Sequence, residues 1–342
     1  RHNRKDIMQR IGDRLVIASV SGGKDSTAMC LYLRELEIPY QAVNMDTGWE
    51  HADTDHYVRE VLPAYIGPIT TIKAEIKVKP EAVPHVERIE AMLGRESSMV
   101  RLVLNRGMFP SRIRRFCTQG LKIFAMRDYL DGLDVEPINC TGVRAAESRA
   151  REKLPEWEDW SAGDCEQWRP LIHWSDQDVV DIHKRHSVPP NPLYLSGAHR
   201  VGCWPCIYAR KSEIRHMAEI DPGRVKVVEA LETAVQELAA VRYAKTGDTF
   251  ESKGYGRPSW FQARTGERDP ETGKTKYPCW PIRKVVEWAK TKHGGRQFEM
   301  FAPPAREWGC MRWGVCDTGA ADPDDEEPLE ELSANESQTS TK

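Results

Sequence analysis

The sequence has no long run of apolar residues. No window of about 18 or more apolar residues occurs in the 342-residue chain, and a helix needs roughly that length to cross a bilayer. The charged stretch from Arg1 to Asp6 is not followed by the apolar core of a signal peptide. These absences argue against a membrane span and a membrane partner, and we expect a cytoplasmic protein.

The sequence also lacks a strong excess of charge of either sign. The formal net charge is −3 and the pI is about 6.4, so no overall basic field indicates nucleic-acid binding. Acidic residues are concentrated between Asp317 and Glu331, and the remainder of the chain is net basic. This composition predicts a disordered acidic tail over residues 317–342. Residues 1–13 predict an N-terminal arm or lead-in helix.

The glycine-rich stretch near the start does not have the spacing of two common phosphate-binding motifs. In Ser21-Gly-Gly-Lys-Asp-Ser26 the glycines are adjacent and Lys24 precedes Asp25, which fits neither the Walker A pattern nor G-x-G-x-x-G. An apolar run from Leu15 precedes it and a helix-periodic run to Leu36 follows it, which predicts a strand, a tight turn and a helix. The free N–H groups of such a helix start attract anions. The stretch therefore predicts a phosphate cradle, the alternative being a turn that only caps the helix.

Strands and helices alternate along the chain as far as residue 190. Further strands are predicted at 40–46, 69–75, 135–142 and 169–174. The alternation predicts an α/β fold over residues 14–190, a doubly wound parallel sheet with helices on both faces. Polar residues follow two of these strands, in Asp46-Thr47-Gly48 and from Gly142 to Arg149. Because open α/β sheets bind ligands at the carboxyl ends of their strands, both stretches are candidate site residues.

Three segments within this region have less regular patterns. Residues 155–168 carry three tryptophans and predict an irregular loop, either a lid or a loop anchored to the core. Arginines cluster between Arg106 and Lys122, which suits phosphate or sulfate binding, the alternative being a solvated basic surface. Residues 81–105 predict helix with a break near Pro84.

The nine cysteines do not favour disulfides in a chain expected in the cytoplasm. Cys203 and Cys206 form a Cys-x-x-Cys pair, which is typical of half a metal site or of a redox dithiol. The neighbouring Arg200, Arg210 and Lys211 would lower the pKa values of these thiols. One such pair cannot complete four-coordinate ligation, so further ligands must come from elsewhere in the chain.

The other cysteines differ in their candidate roles. Cys117, Cys310 and Cys316 are the candidates for the remaining ligands, and Cys117 begins a predicted helix. Cys30 and Cys140 lie in apolar stretches and fit simple packing, whereas the loop positions of Cys165 and Cys279 leave their roles open.

Residues 191–316 predict a second, mostly helical region that carries this cysteine pair. Helices are expected at 222–245 and 282–290. Between them, residues 247–278 predict a mobile loop with exposed Trp260 and Phe261, which could grip a nucleotide or nucleic acid. The plainer alternative is a loop without a binding role.

Taken together, the motifs resemble the phosphoadenosine phosphosulfate reductase family of the PP-loop ATP pyrophosphatase superfamily. The resemblance covers about residues 14–215, and the motifs occur in the family's order. They are Ser21–Ser26, Asp46–Gly48, Cys117 with Lys122, Gly142 to Arg149, and Cys203 with Cys206. The resemblance implies an adenine nucleotide bound over the carboxyl edge of the sheet, with its phosphates on the glycine-rich loop.

The resemblance also implies roles for individual residues. The nucleotide contacts would be Ser21, Gly22, Gly23, Lys24, Asp25, Ser26, Asp46, Thr47, Gly48, Gly142 and Arg149. Lys24, Asp25 and Arg144 would be catalytic: Lys24 would neutralise charge on the reacting phosphates, Arg144 would clamp pyrophosphate, and Asp25 or Asp46 would help to hold Mg²⁺. Cys117, Cys203, Cys206 and Cys310 would ligate a [4Fe–4S] cluster, with Cys316 as an alternative fourth ligand and zinc as an alternative metal.

The chain also departs from the reductases of this family. A threonine, Thr118, stands where cluster-bearing reductases have a second adjacent cysteine, and the C-terminal Glu-Cys-Gly-x-His motif is altered. The loop keeps the ATP-cleaving form, Ser-Gly-Gly-x-Asp-Ser. The sequence therefore resembles more closely the sulfur-installing ATP pyrophosphatases, including the component of bacterial DNA phosphorothioation systems.

These departures predict an adenylating enzyme that releases pyrophosphate and supports sulfur transfer, with a nucleic acid or a sulfur-donor protein as a possible partner. The alternatives are a sulfonucleotide reductase that releases sulfite and a non-catalytic nucleotide-binding subunit.

Overall fold

The strand that precedes the glycine-rich loop lies near the centre of a six-stranded sheet. The computed structural model describes residues 4–250, 252, 256–262, 267–268, 270–271, 273, 275–276 and 279–291. The sheet consists of β1 (Leu15–Val20), β2 (Tyr40–Met45), β3 (Ile69–Ile72), β4 (Pro137–Cys140), β5 (Trp157–Asp159) and β6 (Glu166–Trp168). Their order across the sheet is β3-β2-β1-β4-β6-β5.

All pairings in this sheet are parallel except that of the edge strand β5, which runs antiparallel to β6. Ile17 of β1 lies opposite Gln41 on one side and Asn139 on the other. Since the loops after β1, β2 and β4 leave the same edge of the sheet, the three candidate stretches are brought to one side of the molecule.

The helices alternate with these strands and then continue beyond them. They are α1 (Arg4–Ile11), α2 (Lys24–Glu35), α3 (Ala52–His56), α4 (Pro63–Ile66), α5 (Val83–Leu93), α6 (Ser98–Arg106), α7 (Phe116–Thr118), α8 (Phe124–Asp131), α9 (Arg149–Glu152), α10 (Asp176–Arg185), α11 (Pro192–Leu195), α12 (Lys211–Ile220), α13 (Pro222–Ala244) and α14 (Ile282–Lys290). Single π-helical turns, Tyr57–Val61 and Gln119–Ile123, join α3 to α4 and α7 to α8.

Helices cover both faces of the sheet, as predicted. Val16 and Val20 of β1 pack in a buried cluster with Leu31 of α2 and Val179 of α10. Ile17 points to the opposite face and packs with Met126 of α8. This alternation is the period-two pattern of a strand that is buried on both faces. The α/β doubly wound fold is confirmed.

A second buried cluster draws on both sides of the predicted boundary at residue 190. It joins α5 and α6 to the long helix α13, through Ile89, Val103 and Leu231. Ile282 of α14 belongs to the same cluster. The helices that the sequence places inside the first region therefore share a core with the cysteine-bearing region.

Several local predictions are wrong. Residues 155–168 hold the paired strands β5 and β6 with a turn between them rather than an irregular loop throughout, and 169–174 is a turn rather than a strand. Trp157 stacks on the fully buried Trp168 at 4.9 Å between ring centroids, so these two tryptophans anchor the edge to the core. The helix break in 81–105 falls at the left-handed Gly94 and not at Pro84, which lies in the first turn of α5.

The predicted exposure of Trp260 and Phe261 is also wrong. Trp260 is 3 % exposed and stacks on Trp49, with ring centroids 5.0 Å apart. The described part of 247–278 holds three short strands: β7 (Phe261–Gln262), β8 (Glu267–Arg268) and β9 (Thr275–Lys276), and β7 pairs with β10 (Cys279–Trp280). Cys310, Cys316 and the predicted acidic tail lie outside the described residues.

Within the described ranges, none of the helices combines the length and the apolar character that a bilayer crossing needs.

Candidate nucleotide site

The loop Ser21–Ser26 is held in shape by its own side chains. The Ser26 hydroxyl accepts a hydrogen bond from the Ser21 N–H at 3.1 Å and donates to the Gly23 carbonyl at 3.0 Å. Gly22 has a φ of +73°, and a Cβ at this position would lie 2.7 Å from a methyl carbon of Val58. The tight turn therefore requires glycine at position 22 and leads directly into α2.

Two residues from the segment after α10 support the loop from outside. The Asn191 side-chain amide donates to the Gly22 carbonyl at 3.2 Å, and the Lys24 N–H donates to the Tyr194 hydroxyl at 3.1 Å. Asn191 is also the N-cap of α11, where its side chain accepts from the Leu193 N–H. Sequence reasoning missed both roles, although Asn191-Pro192 is a helix-start signal that marks the segment. In this arrangement Tyr194 occupies one of the loop's N–H donors.

The predicted catalytic residues meet in one ion cluster, formed by Lys24, Asp25, Arg144 and Asp176. The Arg144 guanidinium donates to Asp25 at 2.6 Å and to Asp176 at 2.8 Å. The Lys24 ammonium lies 2.8 Å from Asp176 and 3.4 Å from Asp25. The side chains of Lys24 and Arg144 are 9 % and 3 % exposed, whereas that of Asp176 is 60 % exposed.

The charges in this cluster are balanced, with two cations and two carboxylates. Burial favours the neutral form of Asp176, but hydrogen bonds and attraction from Lys24 and Arg144 outweigh it and lower the pKa of Asp176 to about 2. Asp176, the first residue of α10, was not among the predicted site residues. No local sequence pattern marks it, because its partners lie far away in the chain.

Gly142 brings the loop after β4 against the glycine-rich loop. A Cβ on Gly142 would lie 2.6 Å from the Asp25 carbonyl oxygen, a distance that real Cβ atoms do not adopt. Two residues later, the Arg144 N–H donates to the Glu147 carboxylate at 2.8 Å. This close approach places Arg144 beside Asp25. Arg149 follows at the first residue of α9 and is exposed.

Asp46 does not fit its predicted role as a magnesium ligand. Its carboxylate is 4 % exposed and accepts hydrogen bonds from the Gly48 N–H at 2.8 Å and from Arg95 at 2.6 Å. Arg59 and Lys73 lie 3.2 and 3.3 Å away. A carboxylate that already pairs with three cationic side chains has little negative charge left to offer a metal ion. The neighbouring Thr47 is buried as well and donates to Glu50 at 2.6 Å.

The Lys122 ammonium interacts electrostatically with the thiols of Cys117, Cys203 and Cys206. Attraction to Cys203 first, and then to Glu50, Cys206 and Cys117, raises the pKa of Lys122 despite its burial. Burial raises the pKa of Cys203 to about 12, opposed by Lys122, and burial also raises the pKa of Cys117. The expected lowering of thiol pKa values by Arg200, Arg210 and Lys211 is therefore wrong for Cys203, whose positive neighbour is Lys122.

The Cys-x-x-Cys turn is hydrogen-bonded to the loop after β2. Cys203 forms an isolated bridge with Glu50, and the Trp204 N–H donates to the Trp49 carbonyl at 3.0 Å. Among the described residues, no group of three or more His, Cys, Asp or Glu side chains is arranged to hold a metal ion. The three thiols supply suitable donor atoms, and the two candidates for a fourth ligand lie outside the described residues.

The remaining predicted positions differ in their burial. Cys30 and Cys140 are fully buried, as expected for apolar packing, and the Cys140 sulfur lies 3.4 Å from that of Met29. The basic segment before Cys117 presents four consecutive exposed residues, Arg112–Arg115. Its role in phosphate or sulfate binding stays a prediction.

Known proteins resemble this chain over much of its length. The family model described as the phosphoadenosine phosphosulfate reductase domain matches residues 15–209. An uncharacterised 37.8 kDa protein in the gpa 5' region of Escherichia phage 186 is 33% identical, over 88% of this chain and 96% of its own length. The adenosine 5'-phosphosulfate reductase of Allochromatium vinosum is 28% identical, over 58% of this chain and 69% of its own.

A solved structure is also similar. The phosphoadenylyl-sulfate reductase of Candida auris, in a phosphate complex, matches 60% of this chain and 90% of its own, with a TM-score of 0.43 and 16% identity. The family model spans more than half of the chain, from β1 to just beyond the Cys-x-x-Cys turn. The chain belongs to the phosphoadenosine phosphosulfate reductase domain family.

Proposed function

We propose that this protein binds ATP at the Ser21–Ser26 loop, adenylates a substrate with release of pyrophosphate, and supports transfer of sulfur to the activated substrate. One observation carries the proposal. Two buried cations, Lys24 and Arg144, converge beside a glycine-rich strand-to-helix turn. Buried cations at the N-terminus of a helix are suited to a polyphosphate, because both the side chains and the helix dipole favour negative charge.

The first step joins a substrate oxyanion to the α-phosphorus of ATP. The new P–O bond forms as the bond between the α-phosphorus and the bridging oxygen breaks, and pyrophosphate leaves. Lys24 and Arg144 neutralise the charge that grows on the leaving phosphates, which lowers the barrier electrostatically. In the second step a sulfur nucleophile displaces AMP from the adenylated substrate.

Magnesium would accompany the phosphates rather than occupy a site made only of protein ligands, as is usual for Mg²⁺. Asp25, whose side chain is 22 % exposed, is the more accessible carboxylate candidate, because that of Asp46 is 3 % exposed and pairs with three cationic side chains. The other nucleotide contacts, Asp46, Thr47, Gly48, Gly142 and Arg149, stay predictions. They lie after β2 and β4, at the edge where open α/β sheets hold ligands.

The sulfur step would use the thiols around Lys122. Cys117, Cys203 and Cys206 would hold a [4Fe–4S] cluster together with Cys310 or Cys316, or else a zinc ion. When bound, a cluster of this kind would supply or activate sulfur for the adenylated substrate. The Lys122 ammonium would stabilise the thiolate forms, since the attraction that raises the pKa of Lys122 is mutual.

A second candidate is a sulfonucleotide reductase that releases sulfite. The identity to the Allochromatium vinosum reductase favours it, whereas the ATP-type loop and the altered C-terminal thiol motif favour adenylation. Nucleotide binding without turnover would leave a non-catalytic partner subunit. A nucleic acid or a sulfur-donor protein remains a possible acceptor or partner.

Pyrophosphate exchange into ATP tests the proposal directly. We expect wild-type protein to support exchange in the presence of substrate, and Lys24→Ala to reduce it at least about 100-fold, because an essential charge in the transition state is removed. Lys226→Ala, an exposed lysine on α13, is the matched control and should keep wild-type activity. Sulfite release from adenylyl sulfates without any pyrophosphate exchange would favour the reductase instead.

A further inference from the structure

We infer that Asp176 is a placeholder anion for the nucleotide site: its carboxylate oxygen lies between Lys24 and Arg144, where a phosphate oxygen would lie, and it must leave when the polyphosphate binds. This inference rests on the proposed function and adds to it a residue that sets nucleotide affinity. Because Asp176 would act on the nucleotide through Lys24 and Arg144, it is a positioning residue and not a catalytic one.

The first argument is geometric. One oxygen of Asp176, Oδ1, accepts hydrogen bonds from both Lys24 and Arg144, each at 2.8 Å. A single oxygen shared between an ammonium and a guanidinium is the arrangement that a bridging or terminal phosphate oxygen would adopt. Asp25 contributes a second carboxylate, which is less exposed than that of Asp176, and its Oδ1 accepts from Arg144 at 2.6 Å.

The second argument is charge balance. Lys24 and Arg144 are buried, and leaving both cations without anions would cost several kcal/mol. Asp25 and Asp176 together neutralise them. A polyphosphate that entered beside both carboxylates would create an excess of negative charge that its accompanying Mg²⁺ only partly offsets. One carboxylate must therefore leave, and Asp176 is the more exposed of the two, at 60 % against 22 % for Asp25.

The third argument concerns the cost of leaving. Asp176 is the first residue of α10, and the backbone there is fixed by a capping box in which Ser175 and Asp178 exchange hydrogen bonds. Its side chain can therefore turn into solvent without disturbing the helix. At this position the helix dipole still favours an ionised carboxylate. Asp176 thus has a stable charged position both with and without ligand.

Inorganic pyrophosphate and ATP binding to Asp176→Asn, measured by titration calorimetry, test this inference. The asparagine oxygen can still accept hydrogen bonds from Lys24 and Arg144 but carries no charge to displace. We expect the variant to bind pyrophosphate about 10-fold more tightly than wild type, as removal of one competing ion pair predicts. Its KM for ATP should fall while kcat changes less.

Asp181→Asn is the matched control, on the same helix and with the same change of charge. Asp181 accepts a hydrogen bond from Gln177 at 2.7 Å, and its variant should bind pyrophosphate within twofold of wild type. Asp176→Glu should restore wild-type affinity. A merely structural role of Asp176 would instead weaken binding and raise KM in Asp176→Asn.

The outcomes separate this inference from the proposed function. Equal or weaker pyrophosphate binding by Asp176→Asn, with wild type binding normally, overturns the placeholder role and leaves adenylation intact. Absence of binding by both proteins overturns the placeholder role and the phosphate site together.

Discussion

At Gly142 the backbone of one loop touches the backbone of another. The space for a side chain is already filled by the Asp25 carbonyl, so the contact holds the glycine-rich loop and Arg144 in register. Residues of this kind carry no reactive group. They affect the site because they allow neighbouring segments of the chain to approach closely. At Gly22, similarly, an added Cβ would collide with the Val58 side chain.

Gly142→Ala is expected to lower the free energy of unfolding by about 1–3 kcal/mol, because the added methyl group overpacks a backbone contact. Urea denaturation measures this change, and pyrophosphate exchange should fall with it as Asp25 is displaced. Gly132→Ala at the end of α8 is the control, since its Cβ would meet the nearest oxygen at an ordinary 3.5 Å. Equal stability of the two variants would contradict the close approach.

At the scale of elements, α13 organises the second core through one buried carboxylate. Glu232 is 4 % exposed and accepts hydrogen bonds from the Trp260 N–H at 2.9 Å and the Ile282 N–H at 3.0 Å. It thereby joins the helix to β7 and α14. Burial raises the pKa of Glu232 to about 7, although these two N–H groups oppose the shift.

The raised pKa of Glu232 predicts how stability depends on pH. Between pH 4.5 and 7 the folded protein keeps a proton that the unfolded chain releases, so the free energy of unfolding falls as pH rises, by up to about 3 kcal/mol. Glu232→Gln should remove most of this fall, as measured by urea denaturation at pH 5, 6, 7 and 8. Glu219→Gln, exposed on α12, should retain it. A wild-type protein equally stable at all four values would count against a protonated Glu232.

At the scale of the whole molecule, the loop after β2 joins the sheet to the second buried cluster, to which Trp49 belongs. Trp49, in the loop after β2, stacks on Trp260. The Arg224 guanidinium lies 5.0 Å from the centroid of the Trp49 ring. The Cys-x-x-Cys turn bonds to the same loop through Trp204. The loop after β2, which carries predicted nucleotide contacts, is therefore packed against the thiol-bearing turn, as the proposed coupling of adenylation to sulfur transfer requires.

Metal content tests the thiol site as a whole. Anaerobically purified protein should be brown and carry about four irons per chain if the thiols ligate a four-iron cluster. Cys117→Ser and Cys203→Ser should each lose most of the iron, whereas Cys165→Ser should keep it, because Cys165 packs with a different cluster of residues around Leu130. Colourless protein with one zinc per chain would replace the cluster with the zinc alternative.

Elements that depend on interactions between residues close in the chain could be predicted from the sequence, whereas features that depend on residues distant in the chain could not. The α2 and α14 helices and the strands β1 and β2 were predicted because their apolar periodicity is local. The β5–β6 edge and the burial of Trp260 were missed, since both depend on distant partners: Trp168 and Trp49 supply the surfaces against which these rings pack. The residues beside Trp157 and Trp260 in the chain give no local sign of which way these rings face.

The amino-acid sequence by itself determined the strand–loop–helix unit at Ser21–Ser26, the parallel α/β class and the thiol pair, because periodicity and short spacings specify them. Only the tertiary structure decided what these groups face. Asp176 lies 152 positions from Lys24 and Tyr194 lies 170, yet both contact the loop because parallel strands carry their following segments to one edge of the sheet. The cations, their placeholder carboxylate and the occupied N–H are properties of that edge and of no single stretch of chain.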